Sequence, residues 1–124
     1  MNRYDQTTFG DPGGDCFSTC VRCVLEIEDE IPNFCSFDDW WARLQTWLRP
    51  RDLVYVDCTI REDGHQWEDL GFHLFSGDGP RGVRHTVVGW SGGTVWDPHP
   101  DRSGLLGDRG TWMVGLFARR FEIS

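Results

Sequence analysis

The sequence contains no lysine, and all twelve of its Lys-or-Arg cations are arginine. Twenty acidic side chains outnumber them, which gives a formal net charge of −8 at pH 7. No basic run is longer than the pair Arg119 and Arg120. Because nucleic-acid binding depends on clustered cations that neutralise phosphates, this composition argues against a nucleic-acid partner.

Long apolar runs are also missing. No stretch approaches the roughly 20 apolar residues of a transmembrane helix. Residues 1–15 are polar and contain glycine and proline, unlike a signal peptide. We therefore expect no membrane association and a cytoplasmic location. The five cysteines are an odd number without a secretory signal, so free thiols are expected rather than a disulfide framework.

The apolar content, by contrast, is that of a folded protein. Hydrophobic residues make up 39% of the chain and aromatic residues 14%, with seven tryptophans. This is well above the content of a disordered chain, so the acidic side chains are expected on the surface of a packed fold. A length of 124 residues suffices for one core but not for two. A single domain over residues 1–124 is predicted.

Two helices are predicted in the first half of the chain. The first fifteen residues form an arm and a turn-rich loop, and Asp15 is the candidate N-cap of a helix over residues 16–26, in which apolar side chains recur at helical spacing. Ser36 and Asp39 resemble a capping box that opens a second helix, ending by Pro50. The second helix carries a broad apolar face of Trp40, Trp41, Leu44, Trp47 and Leu48.

After the second helix, β-branched and aromatic residues dominate. They predict strands, the third and fourth joined by a hairpin turn at residues 91–93. The predicted strands cover residues 53–60, 72–75, 85–90, 94–97 and 112–121. Helices followed by an antiparallel sheet are typical of the α+β class.

Cys16 is the candidate nucleophile. It would occupy the first position of the first helix, and a helix N-terminus with a neighbouring imidazolium is the setting that stabilises a thiolate. His85 is the candidate base and general acid, and Asp97 the group that orients its imidazole. Gln6 could donate its side-chain amide, together with the backbone N–H of Cys16, to a developing oxyanion.

The geometry of this set depends on the hairpin. If residues 91–93 form a three-residue loop, His85 opposes His99, and Asp97 lies two residues away on the same face of the sheet. A two-residue loop formed by the two glycines alone would shift the pairing by one residue. His85 and Asp97 would then lie on opposite faces.

These motifs together resemble the papain-like cysteine peptidases. The resemblance is carried by Gln6, by Gly14-Asp15-Cys16 opening a helix, by Arg84-His85-Thr86-Val87-Val88 entering a hairpin and by Val95-Trp96-Asp97-Pro98 closing it. The most similar variant is the compact one in the leader peptidases of bacteriocin exporters and in related small bacterial and phage proteins. The chain departs from those peptidases at Phe17, where they usually carry a small residue.

The resemblance implies a papain-like α+β fold, with N-terminal helices packed on an antiparallel β-sheet and the active site between them. It implies a Cys16-His85-Asp97 triad, assisted by Gln6, that cleaves or transfers an amide through a thioester acyl-enzyme without a cofactor or metal. The expected partner is a peptide or protein substrate. Relatives with this fold include peptidases, deamidases, transglutaminases, acyltransferases and inactive proteins, so neither the reaction nor the oligomeric state is fixed.

Other interpretations remain open at this point. The chain could be a catalytically silent papain-like module whose tryptophan-rich second helix offers an apolar patch to a partner protein. The run from Asp97 to Asp101, with His99 and His85, could hold a metal ion. His65 and His73 are expected at the surface. Of the tryptophans, which are mostly expected in the core, Trp90 or Trp96 could wall the site.

Overall fold

The computed structural model describes residues 1–10 and 13–121. In this part of the chain two α-helices are followed by five strands in one antiparallel sheet, which confirms the predicted α+β class. The helices are α1 (Cys16–Leu25) and α2 (Trp40–Leu48). The strands are β1 (Leu53–Cys58), β2 (Phe72–Asp78), β3 (Arg84–Trp90), β4 (Gly93–Trp96) and β5 (Met113–Arg119).

The strands lie in the order β1-β5-β2-β3-β4. The last strand, β5, is inserted between β1 and β2, so both edges of the sheet belong to strands from earlier in the chain. β4 forms one edge and pairs only with β3 among the described strands. The pairing of β3 with β4 places the start of β3, which carries the candidate histidine, close to the end of β4, which the candidate aspartate directly follows.

The sheet is covered by α1 on one face. Because side chains alternate along a strand, Leu74 and Val88 face α1 and pack with its buried residues Phe17, Cys20 and Val21. The neighbouring side chains in β2 and β3 turn to the other face, where a smaller core forms. The buried members of that smaller core are Trp67, Phe75, Val87 and Val114.

The predicted start of α1 is confirmed, but Asp15 does not cap the helix with its side chain. Its carboxylate instead accepts hydrogen bonds from the backbone N–H groups of Thr7 and Thr8, at 3.1 Å each. At the other end, Glu26 adopts a left-handed conformation, with φ of 57°, and its N–H donates to the carbonyl of Arg22. This geometry ends the helix after Leu25.

The predicted capping box of α2 is wrong. Ser36 belongs to a 3₁₀ turn (Phe34–Ser36), and its hydroxyl donates to the carbonyl of Asn33 at 2.7 Å. Asp39 precedes the helix but binds the Arg43 side chain at 2.6 Å rather than a backbone N–H. Of the broad apolar face expected, only Leu44 and Leu48 are fully buried.

The hairpin between β3 and β4 has a shorter turn than predicted. Trp90 pairs with Gly93 across a two-residue turn, in which Ser91 and Gly92 both adopt positive φ. This is the backbone of the tight turns that match the twist of antiparallel strands. A bulge follows at Val95, the residue left between the paired positions on β4.

His73 was expected at the surface, but the structure buries it completely. It lies on β2, an inner strand, and pairs with Gly89, whose missing side chain leaves room for the imidazole. The ring packs edge-on against Phe75, and Nδ1 lies 2.8 Å from the carbonyl oxygen of Gly71. Burial lowers the pKa of His73, so we assign it a structural role.

The helices of the described residues are short. α1, with ten residues, is the longest of them, and none combines the length and apolar character needed to cross a membrane.

Candidate functional site

Cys16 is the first residue of α1 and is partly exposed. The N–H groups of a helix's first turn have no acceptor within the helix, and the helix dipole places partial positive charge there. The thiol of Cys16 therefore lies where a negative charge is stabilised, and its own N–H is directed to the same end of the helix. Cys20 and Cys23, further along α1, are fully buried, as expected of core thiols.

His85 and Asp97 form a buried pair. Nε2 of His85 lies 2.7 Å from Oδ1 of Asp97, and both side chains are 3% exposed. Asp97 is itself held by two backbone groups, since Oδ1 accepts from the N–H of His99 at 2.8 Å and Oδ2 from that of Gly104 at 2.7 Å. The carboxylate is thus fixed in position and orients the imidazole.

The bulge at Val95 explains why this pair forms. With a two-residue turn and no bulge, Asp97 would pair with Thr86, and its side chain would point away from His85. The extra residue makes Trp96 the partner of Val88 and returns Asp97 to the face that carries His85. The predicted loop length was wrong, whereas the predicted shared face of His85 and Asp97 is confirmed.

Cys16 and His85 are neighbours at the site. Both line the same two clefts, and a hydrogen bond with Cys16 contributes to the raised pKa of His85. Because Asp97 occupies Nε2, Nδ1 is the ring nitrogen left for the sulfur. The three side chains predicted as a triad are therefore brought together in the order thiol, imidazole, carboxylate.

The charges of these groups stabilise one another. Burial alone would lower the pKa of His85. Its hydrogen bonds to Asp97 and Cys16 have the larger effect and raise the pKa to about 9. Burial raises the pKa of Asp97, yet the bonds from His85, His99 and Gly104 outweigh it and the net pKa is lowered. Both directions favour a protonated imidazole beside a carboxylate at neutral pH.

Gln6 is also placed at the site. It is 6% exposed, and it lines a small cleft together with Cys16 and His85. Its Nε2 donates to the carbonyl of Thr8 at 2.9 Å, which uses one of the two amide hydrogens. The other hydrogen has no acceptor among the described residues. Oε1 is buried and has no hydrogen-bond partner among the described residues.

The N-terminal arm holds Gln6 in place between α1 and β4. The N–H of Gln6 donates to the carbonyl of Pro98 at 3.0 Å, directly after Asp97. Two residues earlier in both segments, the indole N–H of Trp96 donates to the carbonyl of Tyr4 at 2.8 Å. With the bonds from Thr7 and Thr8 to Asp15, these contacts tie the arm to both sides of the site.

Two clefts meet at Cys16 and His85. The larger has a volume of about 370 Å³ and is mostly apolar, with Asp57 at its wall. The smaller has a volume of about 130 Å³. Arg84 lines both. The apolar side chains that line the larger cleft are Phe17, Trp40, Tyr55 and Met113.

Neither tryptophan expected to wall the site does so. Trp90 is 49% exposed and packs on Phe72 with ring centroids 4.6 Å apart. Trp96 is turned towards the N-terminal arm, and Trp40 lines the larger cleft instead. The convergence of Trp40, Tyr55 and Met113 from α2, β1 and β5 had no counterpart in the local sequence pattern.

The run from Asp97 to Asp101 does not form a metal site. Within residues 1–10 and 13–121, no group of three or more His, Cys, Asp or Glu side chains is arranged to hold a metal ion. Asp97 is engaged by His85, and Asp101 accepts from Arg81 and from the N–H and hydroxyl of Ser103. His99, predicted only as a possible ligand, lines the small cleft.

The site is therefore a thiol at a helix N-terminus, next to an imidazole that a buried carboxylate orients. Comparison with models of protein families, with curated proteins and with solved structures gives no match for this chain.

Proposed function

We propose that this protein is a papain-like thiol hydrolase or acyl-transferase that acts on an amide, either a peptide bond or a side-chain amide. The observation that carries the proposal is the 2.7 Å contact between His85 and Asp97, with Cys16 beside the same imidazole in the wall of both clefts. A nucleophile, a base and an orienting acid in contact are the arrangement required for acyl transfer. The helices packed on an antiparallel sheet agree with the proposed fold family.

In the proposed reaction the Cys16 thiolate attacks the carbonyl carbon of the amide and forms a carbon–sulfur bond. The imidazolium of His85 gives its proton to the departing nitrogen as the carbon–nitrogen bond breaks. The amine leaves, and a thioester remains on Cys16. Neutral His85 then takes a proton from water, or from an acceptor amine, which attacks the thioester and releases the thiolate. Asp97 holds the imidazole throughout and is not protonated.

The oxyanion of the tetrahedral intermediate needs two donors. The N–H of Cys16 lies at the open end of α1, and the second hydrogen of the Gln6 amide is the other candidate. Both donors are preorganised, since the helix fixes the first and the Thr8 carbonyl orients the second. Preorganised donors stabilise developing charge without reorganisation during the reaction.

The larger cleft supports a peptide or protein substrate. Its volume of about 370 Å³ lies within the range of pockets that enclose a ligand group. Aromatic side chains and Met113 make it suited to an apolar side chain beside the reacting amide. A short apolar segment of a peptide, or of a partner protein, fits this chemistry better than a charged substrate.

The test is alkylation of the native protein by iodoacetamide at pH values from 5 to 9, with each cysteine quantified by mass spectrometry. We expect Cys16 to be alkylated much faster than exposed Cys58 at pH 6, where an ordinary thiol is almost fully protonated. The advantage should disappear in a His85→Ala variant whose circular dichroism shows a folded chain. Equal labelling of Cys16 and Cys58 in the native protein would contradict the proposal.

A second candidate function is a catalytically silent module that binds a partner protein, and one observation favours it. An open groove of about 540 Å³ lies along α2, with Phe34, Phe37 and Trp47 in its wall. Trp41, on the same helix, is 38% exposed. Under this function Cys16 would be no more reactive than Cys58, so the alkylation experiment separates the two.

A further inference from the structure

We propose that the smaller of the two clefts binds a carboxylate on the leaving group of the substrate, so that the enzyme releases a single C-terminal residue. The inference rests on the proposed function and adds a substrate class to it. The cleft has a volume of about 130 Å³ and is lined chiefly by Gln6, Phe9, Cys16, Arg84, His85 and His99. Its polar side chains are dominated by hydrogen-bond donors, which match an anionic, acceptor-rich group.

His99 presents a donor at this cleft. The backbone N–H of Asp101 donates to Nδ1 of His99 at 3.1 Å, so the ring hydrogen of the neutral imidazole is on Nε2. Oδ1 of Asp101 also lies 3.1 Å from Nδ1, and a protonated imidazole would bind it there. In both states Nε2 carries a hydrogen. His99 therefore offers an N–H to a ligand whatever its protonation state.

Arg84 supplies the charge. Its single ion pair among the described residues is a long contact with Asp78, at 3.7 Å, and its side chain is 64% exposed. Arg81 also lines the cleft, but one nitrogen of its guanidinium already binds both carboxylate oxygens of Asp101, at 3.0 and 2.8 Å. Arg84 is thus the cation better able to bind a substrate carboxylate.

The differences between the two clefts indicate which part of the substrate each one binds. Arg84 lines both clefts, but the larger one also carries Asp57, which would repel a carboxylate. No carboxylate side chain lines the smaller cleft among the described residues. Its volume is about a third of the larger one, so it suits one small residue better than a continuing chain. The acyl group therefore belongs in the large cleft and the terminal residue in the small one.

In the resulting reaction Cys16 attacks the carbonyl of the last peptide bond. His85 gives its proton to the α-nitrogen of the terminal residue, which leaves as a free amino acid while its carboxylate remains bound to Arg84 and His99. Water then hydrolyses the thioester, so one water is consumed for each residue released. The product is a peptide one residue shorter, with a new terminal carboxylate.

The first experiment compares iodoacetate with iodoacetamide. Both reagents alkylate a thiolate, but only iodoacetate carries a carboxylate, so the ratio of their rates at Cys16 measures anion binding beside the sulfur. We expect this ratio to be about tenfold higher at Cys16 than at Cys58, and to decline in 0.5 M NaCl. Arg84→Gln and His99→Asn should each lower it at least threefold. In His99→Asn the amide oxygen can still accept the Asp101 N–H.

Arg61→Gln is the matched control. Arg61 is 86% exposed, lines neither cleft, and its removal changes the net charge by the same amount as removal of Arg84. It should leave the ratio unchanged. A ratio at Cys16 equal to that at Cys58, or one that Arg84→Gln and His99→Asn leave intact, would overturn the carboxylate site. The absolute rate with iodoacetamide reports separately on the proposed function, so the two failures are distinguishable.

The second experiment uses peptides. A tetrapeptide with an apolar third residue and a terminal glycine is offered with either a free carboxylate or a carboxamide at its C-terminus. We expect cleavage of the last peptide bond, with kcat/KM about tenfold higher for the free carboxylate and with most of that preference lost in Arg84→Gln. Equal cleavage of both peptides, or cleavage at an internal bond only, would overturn the proposal while leaving thiol hydrolysis intact.

Discussion

His85 and Asp97 are twelve residues apart in the chain, and the bulge at Val95 brings Nε2 of the first within 2.7 Å of Oδ1 of the second. Without the extra residue, alternation along β4 would turn Asp97 to the other face of the sheet. The bulge lies on an edge strand, where an interrupted ladder affects only one neighbour. The proposed chemistry therefore depends on a local irregularity of the backbone as well as on the side chains.

Asp97→Asn tests whether the charge of this carboxylate, and not only the volume of its side chain, is needed at the site. The amide has the size of the carboxylate but no charge, so the pKa of His85 should fall from about 9 towards its ordinary value. We expect acylation of Cys16 by 4-nitrophenyl acetate to slow by about 10² to 10⁴-fold at pH 7. The His85 pKa is measured by NMR titration and the acylation rate by intact mass.

Asp38→Ala removes an exposed carboxylate that lines neither cleft and serves as the control for lost charge. It should leave both measurements unchanged. An Asp97→Asn protein that acylates at the native rate would show that the buried pair has no part in the reaction.

The pH dependence of stability should also report on His85. Its pKa of about 9 in the folded protein exceeds the value of about 6.5 in an unfolded chain, so folding favours the protonated imidazole. This stabilisation is complete below pH 6.5 and is lost as the pH rises through about 9. Between pH 6.5 and 8 the free energy of unfolding should decline by on the order of 2 kcal/mol, as measured by urea denaturation.

The comparison is made with His85→Gln, whose side chain does not titrate. Cys20 and Cys23 are buried thiols with raised pKa values, so their contribution to the pH dependence begins only near pH 8.5. Between pH 6.5 and 8 the free energy of unfolding should decline less steeply with pH in the variant than in the native protein. Identical slopes would mean that His85 is not protonated preferentially in the folded state.

The sequence allowed the chemistry of the site to be predicted better than its geometry. The placement of Cys16 at a helix start followed from Asp15 and the apolar spacing, because both are local features. The loop length of the hairpin was predicted wrongly, since Ser91 adopts a positive φ that propensity assigns to glycine or asparagine. The error was offset by the bulge at Val95, which no local pattern indicated. The pairing of residues between β3 and β4 depends on the length of the turn and on any bulge in the strands together.

Features that depend on long-range packing could not be predicted. The large cleft is formed where Trp40, Tyr55 and Met113 meet, and these residues come from three elements that are distant in the chain. The burial of His73 follows from its pairing with Gly89 across two inner strands. Sheet order decides both, and the insertion of β5 between β1 and β2 has no signature in the spacing of residues.

Asp15→Ala should loosen the N-terminal arm without changing the nucleophile. The carboxylate accepts hydrogen bonds from the N–H groups of Thr7 and Thr8 and from the Thr7 hydroxyl, so its removal leaves these three exposed donors bonded only to water. We expect a loss of about 1 to 2 kcal/mol in the free energy of unfolding, and amide exchange at Thr7 and Thr8 at least about tenfold faster. Hydrogen exchange read by NMR measures this locally. Unchanged exchange at both amides would refute the anchoring role.

Gln6→Met tests the proposed oxyanion donor. Methionine has a similar length and no N–H, so it removes the donor while keeping the arm's backbone bond from residue 6 to the carbonyl of Pro98. We expect acylation of Cys16 by 4-nitrophenyl acetate to slow by about 10 to 10³-fold, because only the Cys16 N–H would then stabilise the developing charge. Iodoacetamide alkylation passes through no oxyanion, so its rate should remain within about twofold of the native rate.

The two reactions together distinguish the roles open to Gln6. A parallel loss in acylation and alkylation would mean that Gln6 acts by holding the site together, since its Nε2 also binds the Thr8 carbonyl. A loss in neither would exclude it from the oxyanion hole and leave the Cys16 N–H as the remaining candidate donor. Selective loss of acylation is the result expected if the second amide hydrogen of Gln6 meets the oxyanion, because that step alone develops charge on the carbonyl oxygen.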